Sequence, residues 1–279
     1  MSDGCTIGAK RLGDRVVMFK NRDLLYRDFR DRVVFDSQTF GVVEVGIGTG
    51  EALGISIGGN SDGLAACTAT VLATSDTPYD ILVEEILRHD RSVDDALITV
   101  QDRLDSGGRY QWCNIVLATP DEVGVIELGP DGCRLQRDPT LVVRTNHHLL
   151  LPTAALVEVS SASERECAGP LSSSRRRYAV ANRLAQQAGT VDDFVAMLRT
   201  HSESRAFDSI YRHDEASNSS IPYLGCTCYS YIVEIESHSA HRPVMYVACG
   251  NPCSAPYVRI PINFDATESE RSEILRLFP

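Results

Sequence analysis

Cys5 follows Gly4 and opens an apolar run near the start of the chain. Removal of Met1–Gly4 would place a thiol and an α-amine on one residue. A thiol with pKa about 8.5 is only partly ionised at neutral pH, and an α-amine at about 7.7–8.0 is well matched to take its proton. Pairing a nucleophile with an N-terminal amine is an established route to activation. Gly4 offers an unhindered carbonyl to the same thiol, so the removal can be self-catalysed. This divides the chain into a short leader, 1–4, and a single domain, 5–279. The competing reading is a buried N-terminal cysteine without a chemical role. Downstream, a turn at Gly13-Asp14 leads to Phe19-Lys20-Asn21-Arg22-Asp23. A hairpin of that length can return Asp23 to Cys5, where a carboxylate would accept from the amine and orient it.

Other chemistry is weaker. There are nine cysteines. Cys226-x-Cys228 with Cys249-x₃-Cys253 suggests zinc, but the first gap is tighter than the usual ligand spacing. Cys228 and Cys249 fit core strands better. His147, His148 and His201 read as site-lining or structural rather than metal-binding, and no cofactor is expected. Gly46-x-Gly-x-Gly50 lacks the following helix that would bind a pyrophosphate.

The elements that would position Cys5 come in groups. Thr6–Ala9, Arg15–Phe19, Val42–Ile47, Ala52–Ile57 and Gly63–Val71 read as strands between Gly-rich turns. Pro78 opens a helix with Ile81, Leu82, Ile86 and Leu87 at helical spacing, and Ser92 caps a second. Strands return at Cys113–Ala118, Val123–Leu128 and Leu141–Arg144. Residues 151–173 read as a mobile connection. Helices follow at 175–188 and 191–201, the second capped by Thr190. Residues 202–225 are polar and irregular, and the last strands are Thr227–Glu236, Val244–Cys249 and Tyr257–Ile260. Strands grouped apart from helices fit an α+β fold, with two sheets between helix layers, better than strict βαβ alternation.

Composition bounds the function. The apolar share of 43% and charged share of 23% are those of a globular domain, which excludes disorder and coiled coil. A net charge of −11 argues against a nucleic-acid or anionic-membrane partner. No stretch is long and apolar enough to span a membrane. The N-terminus lacks a basic-then-apolar signal, so a cytoplasmic setting with reduced thiols is expected.

Cys-Thr at a processed N-terminus, followed by a hydrophobic hairpin and Asn21-x-Asp23, resembles the N-terminal-nucleophile (Ntn) cysteine hydrolases. The similarity is to the acyl-coenzyme A:6-aminopenicillanic acid acyltransferase-like proteins, relatives of penicillin V acylase and bile salt hydrolase. Gly59-Asn60-Ser61-Asp62-Gly63-Leu64 resembles their Gly-x-Asn-x-x-Gly-Leu turn. Arg144-Thr145-Asn146-His147-His148 resembles the Thr-Asn-His segment after a strand. Ser173-Ser174-Arg175-Arg176-Arg177 resembles the Ser-Ser-x-x-Arg opening of a helix. Leu198-Arg199-Thr200-His201, Ile210-Tyr211-Arg212-His213 and Gly250-Asn251-Pro252-Cys253 continue the series in order.

The resemblance implies a four-layer αββα sandwich of two mainly antiparallel sheets, the Ntn-hydrolase fold, and action on a linear amide through a thioester. It implies that Asp23 holds the nucleophile's amine, that Asn146 donates to the oxyanion, and that Arg177 steadies the site with a fixed charge. Arg175 and Arg176 then belong to an exposed helix face. His147 becomes a candidate for substrate binding. Two positions depart from the pattern. Lys20 stands where the bile salt hydrolase group carries arginine and the penicillin acyltransferase group glutamine. Thr70 stands where the former has a second oxyanion asparagine. Both remain substrate-binding or oxyanion candidates, but bile salts and penicillin V are not expected as substrates.

The expected partners are a small-molecule amide or acyl donor, an acyl thioester included, and an amine acceptor in secondary metabolism. A homo-oligomer is left open. Phe19, Tyr26, Leu64 and the 147–155 loop are the expected acyl pocket. Whether water or an amine takes the acyl group is open. The rival reading is a catalytically silent αββα domain that binds a ligand or protein.

Overall fold

The structure is a computed structural model that describes residues 4–24, 29–46, 52–160, 170–201, 209–213 and 226–279. Its centre is the hairpin of β1 (Gly4–Leu12) and β2 (Arg15–Leu24). The turn between them needs Gly13, whose φ is +70°. Alternation decides the faces. Cys5, Ile7 and Ala9 of β1, with Val16 and Met18 of β2, point into one apolar layer, whereas Val17 and Phe19 point into another.

This hairpin sits in the middle of a six-stranded antiparallel sheet. The second sheet runs as a meander: β3 (Phe29–Phe35), β4 (Thr39–Gly46), β5 (Ala52–Asn60), β6 (Ala65–Leu72), β7 (Trp112–Ala118), β8 (Val123–Gly129) and β9 (Gly132–Asp138). The first sheet is completed by β10 (Leu141–Arg144), β11 (Cys226–Glu236), β12 (Val244–Cys249) and β13 (Val258–Pro261), in the order β10-β1-β2-β11-β12-β13. The layer between the sheets holds Cys5, Ile7, Ala65, Cys67, Ala69, Val116 and Val233. The small side chains of β6 allow the sheets to meet closely beside β1.

Helices cover both outer faces. α1 (Tyr79–His89) and α2 (Val93–Asp105) lie on the meander sheet, and α2 starts at Ser92, whose hydroxyl accepts from Asp95 N at 3.1 Å. α3 (Ala154–Ser160) leads towards α4 (Pro170–Gln187). α4 and α5 (Val191–Leu198) lie on the first sheet, and Thr190 with Asp193 closes a capping box on α5. Lys10 reaches out of β1 to the end of α4 and donates to the carbonyls of Ala185, Gln186 and Ala188 at 2.9, 2.8 and 2.7 Å. A cation at a helix C-terminus is favourably placed. A short α6 (Glu268–Leu275) ends the fold.

The αββα layering matches the expectation. The strands at β3 and β9 and the helix α6 were not expected. The segment 151–173, expected as a connection, contributes α3 and the first turn of α4, while 161–169 lie outside the described residues. Of the irregular stretch 202–225, only 209–213 are described. Among the described residues no helix is long and apolar enough to cross a membrane.

Candidate active site

β1 and β2 pair so that Gly4 faces Asp23 and Cys5 faces Arg22. Cys5 is buried in the layer between the sheets. Its backbone is gripped from two distant segments. The Cys5 N–H donates to Asn146 Oδ1 at 3.0 Å, and Arg177 Nη1 donates to the Cys5 carbonyl at 2.6 Å. Arg177 Nη2 closes the triangle on Asn146 Oδ1 at 2.6 Å. Of three consecutive arginines in α4, Arg177 is the buried one, and Arg175 and Arg176 face solvent. Asn146 Nδ2 donates to the Thr70 carbonyl at 2.7 Å. It is Asn146, therefore, that takes the Cys5 N–H.

The loop that carries Asn146 is held on every side. Ser174 Oγ accepts from Asn146 N at 2.8 Å. Asn114 Nδ2 donates to the carbonyls on either side, Thr145 at 2.9 Å and His147 at 3.1 Å. Glu127 of β8 accepts from Leu149 N, Leu150 N and Leu151 N at 2.8, 2.8 and 3.0 Å. The same carboxylate pairs with Arg144 at the loop's other end, Nε at 3.1 Å and Nη2 at 3.0 Å. His147 Nδ1 lies 2.8 Å from Ser174 Oγ. Burial, aided by Arg175, Arg177 and Arg144, pushes the His147 pKa down to about 4, so the ring is neutral. His148 Nε2 donates to the Cys113 carbonyl at 3.1 Å, which leaves Nδ1 to accept from Thr153 at 2.8 Å.

Asp23 is fully buried beside Gly4. Thr227 Oγ1 donates to its Oδ1 at 2.5 Å, and Arg212 Nε lies 3.5 Å from its Oδ2. Thr227 N–H also donates to the Arg212 carbonyl, and Arg212 N–H donates to Thr227 Oγ1. A Cβ on Gly4 would lie 2.5 Å from Asp23 Oδ2 and 2.6 Å from Arg212 Nη1. A side chain ahead of Cys5 would have to push the Asp23 carboxylate and the Arg212 guanidinium aside.

The two departing positions are engaged elsewhere. Lys20 crosses the layer between the sheets and donates to the Ser56 carbonyl at 3.0 Å and to Thr68 Oγ1 at 3.3 Å. Thr68 in turn donates to Asp80 at 2.9 Å. Burial raises the Asp80 pKa against the pull of Lys20 and Arg22. Thr70 offers its carbonyl to Asn146 while its hydroxyl bonds Tyr79. Arg22, opposite Cys5 and on the same face of the hairpin, binds Ser56 Oγ at 2.9 Å, Asp31 at 3.1 Å and Glu44. Tyr231 donates to Asp31 at 2.5 Å. Arg22, across the hairpin from Cys5, thus heads a buried charged cluster with Asp31 and Glu44.

The acyl-pocket expectation needs correction. Phe19 stacks on Phe194 at 5.4 Å under α5, and Leu64 packs beneath α1 and α2, so both face away from Cys5. Tyr26 lies outside the described residues, as do Met1–Asp3 of the expected leader. Asn60 of the Gly-x-Asn turn is structural: its amide donates to Leu87 O at 3.1 Å and Asp90 O at 2.8 Å. Among the described residues no three His, Cys, Asp or Glu side chains converge as metal ligands. Arg22, Asn114, Glu127, Ser174 and Arg212 carry much of the site, yet the sequence reading gave them no role. Glu127 did leave a signal, a lone acid within the apolar run Val123–Leu128.

No curated protein matches the chain in sequence. Solved structures share its fold. Penicillin V acylase from Agrobacterium tumefaciens superposes with a TM-score of 0.56 at 11% identity, over 93% of this chain and 86% of that one. A variant of conjugated bile acid hydrolase from Clostridium perfringens gives 0.60 at 10% identity, over 95% of each chain. The sequence profile of the acyl-coenzyme A:6-aminopenicillanic acid acyl-transferase family matches residues 11–205. With most of its length inside that match and the αββα sandwich around it, the chain belongs to this acyltransferase family.

Proposed function

We propose that the chain is an amide-cleaving hydrolase or acyltransferase whose nucleophile is Cys5, exposed when the Gly4–Cys5 bond is cut. The observation that carries this reading is the meeting of residues 5, 146 and 177 around that bond, through contacts of 2.6–3.0 Å. In maturation the Cys5 thiol adds to the Gly4 carbonyl. The C–N bond breaks, the departing nitrogen takes the proton, and the leader is left as a thioester that water hydrolyses. The freed amine then relays the thiol proton during turnover. Asp23, held by Thr227 and Arg212, lies beside Gly4 to receive that amine. Once the Cys5 amide proton is replaced by an amine, Asn146 keeps its anchors to Ser174 and α4 and offers its NH₂ towards the acyl oxygen.

A substrate amide would acylate Cys5 and release its amine. Water or a second amine would take the acyl group, the first outcome being hydrolysis and the second transfer. A small linear amide or acyl thioester as donor, and a cytoplasmic setting, belong to the same proposal.

The test is the intact mass of the purified protein beside Cys5→Ala. Loss of Met1–Gly4 from the wild type, with Ser2–Gly4 retained in the variant, is the expected result. A leader kept by both proteins leaves Cys5 without a free amine, and the silent-domain reading takes its place.

A further inference from the structure

We propose that Cys226 and Cys228 form a dithiol that closes to an intrachain disulfide, and that closing it displaces the hydroxyl that holds Asp23. The consequence for Cys5 rests on the function proposed above; the dithiol itself does not.

The two cysteines begin β11, alongside β2. Cys226 faces Leu24 and Thr227 faces Asp23, but the next paired residue is Tyr229, opposite Arg22. Cys228 is therefore the extra residue of a β-bulge, which kinks the strand locally. In a regular strand, residues two apart are separated by about 6.6 Å, near the upper limit of a disulfide's Cα span. A bulge relaxes that limit. The two sulfurs already lie 3.8 Å apart, and both residues are half-buried, within reach of a small oxidant. The Cys228 carbonyl accepts from Gly250 N at 2.6 Å, which fixes the bulge to the chain beyond β12.

Thr227 sits between the two thiols. Its hydroxyl donates to Asp23 Oδ1 at 2.5 Å and accepts from Arg212 N at 2.8 Å. Its N–H donates to the Arg212 carbonyl at 3.0 Å. A bond across residues 226 and 228 has to draw the sulfurs to about 2.05 Å, and the residue spanned by that ring cannot keep its torsions. Asp23 and Arg212 then lose the partner that sets their places. The hydrogen bond to Cys226, with burial, keeps the Cys228 thiol above its ordinary range, so exchange begins at Cys226.

The chemistry closes with glutathione disulfide as oxidant. The Cys226 thiolate attacks one sulfur of glutathione disulfide and releases one glutathione. The Cys228 thiolate then displaces the second. Two protein thiols are oxidised to one disulfide, one glutathione disulfide is reduced to two thiols, and the two protons pass to the glutathione sulfurs.

The test equilibrates the full chain in glutathione buffers from reducing to oxidising, traps it with acid and alkylates it. Peptide masses locate any disulfide, and amide hydrogen exchange follows Arg22–Leu24 and Thr227. The expected result is a species lighter by two hydrogens in the 226–228 peptide, absent from Cys226→Ser and from Cys228→Ser. Exchange at Asp23 and Thr227 should rise at least severalfold with it, and alkylation of Cys5 by iodoacetamide should slow. Thiols that stay alkylatable throughout, mixed glutathione adducts alone, or a disulfide without altered exchange would overturn the proposal. The same spectra report whether Met1–Gly4 has left, so a failure of the nucleophile reading shows separately from a failure of the dithiol.

Discussion

Arg177 gives one guanidinium nitrogen to the Cys5 carbonyl and the other to Asn146. Lysine keeps the charge and loses the fork. Loss of a hydrogen bond to a charged group costs about 1.5–3 kcal/mol, so Arg177→Lys should slow leader removal roughly tenfold to a hundredfold, read from intact-mass time courses. Gly4→Ala should slow removal, because its Cβ would displace the Asp23 carboxylate and the Arg212 guanidinium; an alanine variant that matures at the wild-type rate would contradict the geometry. His147 makes a pH prediction. Its folded pKa of about 4 lies below the 6.5 of a free ring. The unfolded chain therefore takes up a proton that the folded chain refuses, and stability is lost as pH falls from 6.5 towards 4. His147→Gln should flatten that part of the curve in denaturant titrations at pH 7 and pH 5. Cys5, Asp23, Asn146 and Arg177 were legible because each sits in a short pattern of its own. Asn114 was not, and Arg212 stood in such a pattern without its link to Asp23, since the partners of both lie far away in sequence and only the folded sheets bring them together.

At the level of elements, one carboxylate pins both ends of the loop that carries Asn146. Glu127→Gln leaves Arg144 buried with a neutral partner, which costs about 3–5 kcal/mol when a buried pair is broken. The loss should appear as a lower denaturation midpoint together with slower maturation, with the loop amides of Leu149–Leu151 exchanging first. Lys10→Met removes the ammonium from the three carbonyls at the end of α4; about 1–3 kcal/mol is expected, with added exchange confined to that last turn. The elements that escaped the sequence reading share a physical reason. β3, with its sequence Phe-Arg-Asp-Arg-Val-Val-Phe, breaks its alternation with three charges. β9 is an outer strand of the meander with no fully buried residue. α6 has no apolar stripe and no fully buried residue; only Ile274 and Leu275 at its end pack against the core. Strands such as β1 and β6 and the capped helices α2 and α5 were plain, because burial on both faces leaves a short apolar run between turns and a side-chain cap writes itself into spacing.

On the scale of the whole molecule, the two sheets are held together by a layer whose thickness is set by small side chains on β6 against β1. Ala69→Leu should force them apart near the nucleophile and cost about 1–3 kcal/mol, with leader removal more affected than the melting temperature. At 10–11% identity the chain keeps the sandwich of its structural neighbours, as expected when a layered core can be rebuilt from many apolar residues of suitable size. The position of β1 has one more consequence. Chain ends usually fray because one side of their backbone is unpaired. β1 is an interior strand: β2 pairs it as far as Gly4, β10 pairs it from Ile7 onward, and at Cys5 the side beyond β10 is taken up by Asn146 and Arg177. A terminus created at Cys5 would begin with β2 along one side and the Asn146 and Arg177 side chains along the other. The freed amine would inherit the rigidity of a mid-sheet residue, its place fixed before the bond ahead of it was broken, and the mature enzyme would need no refolding to begin work.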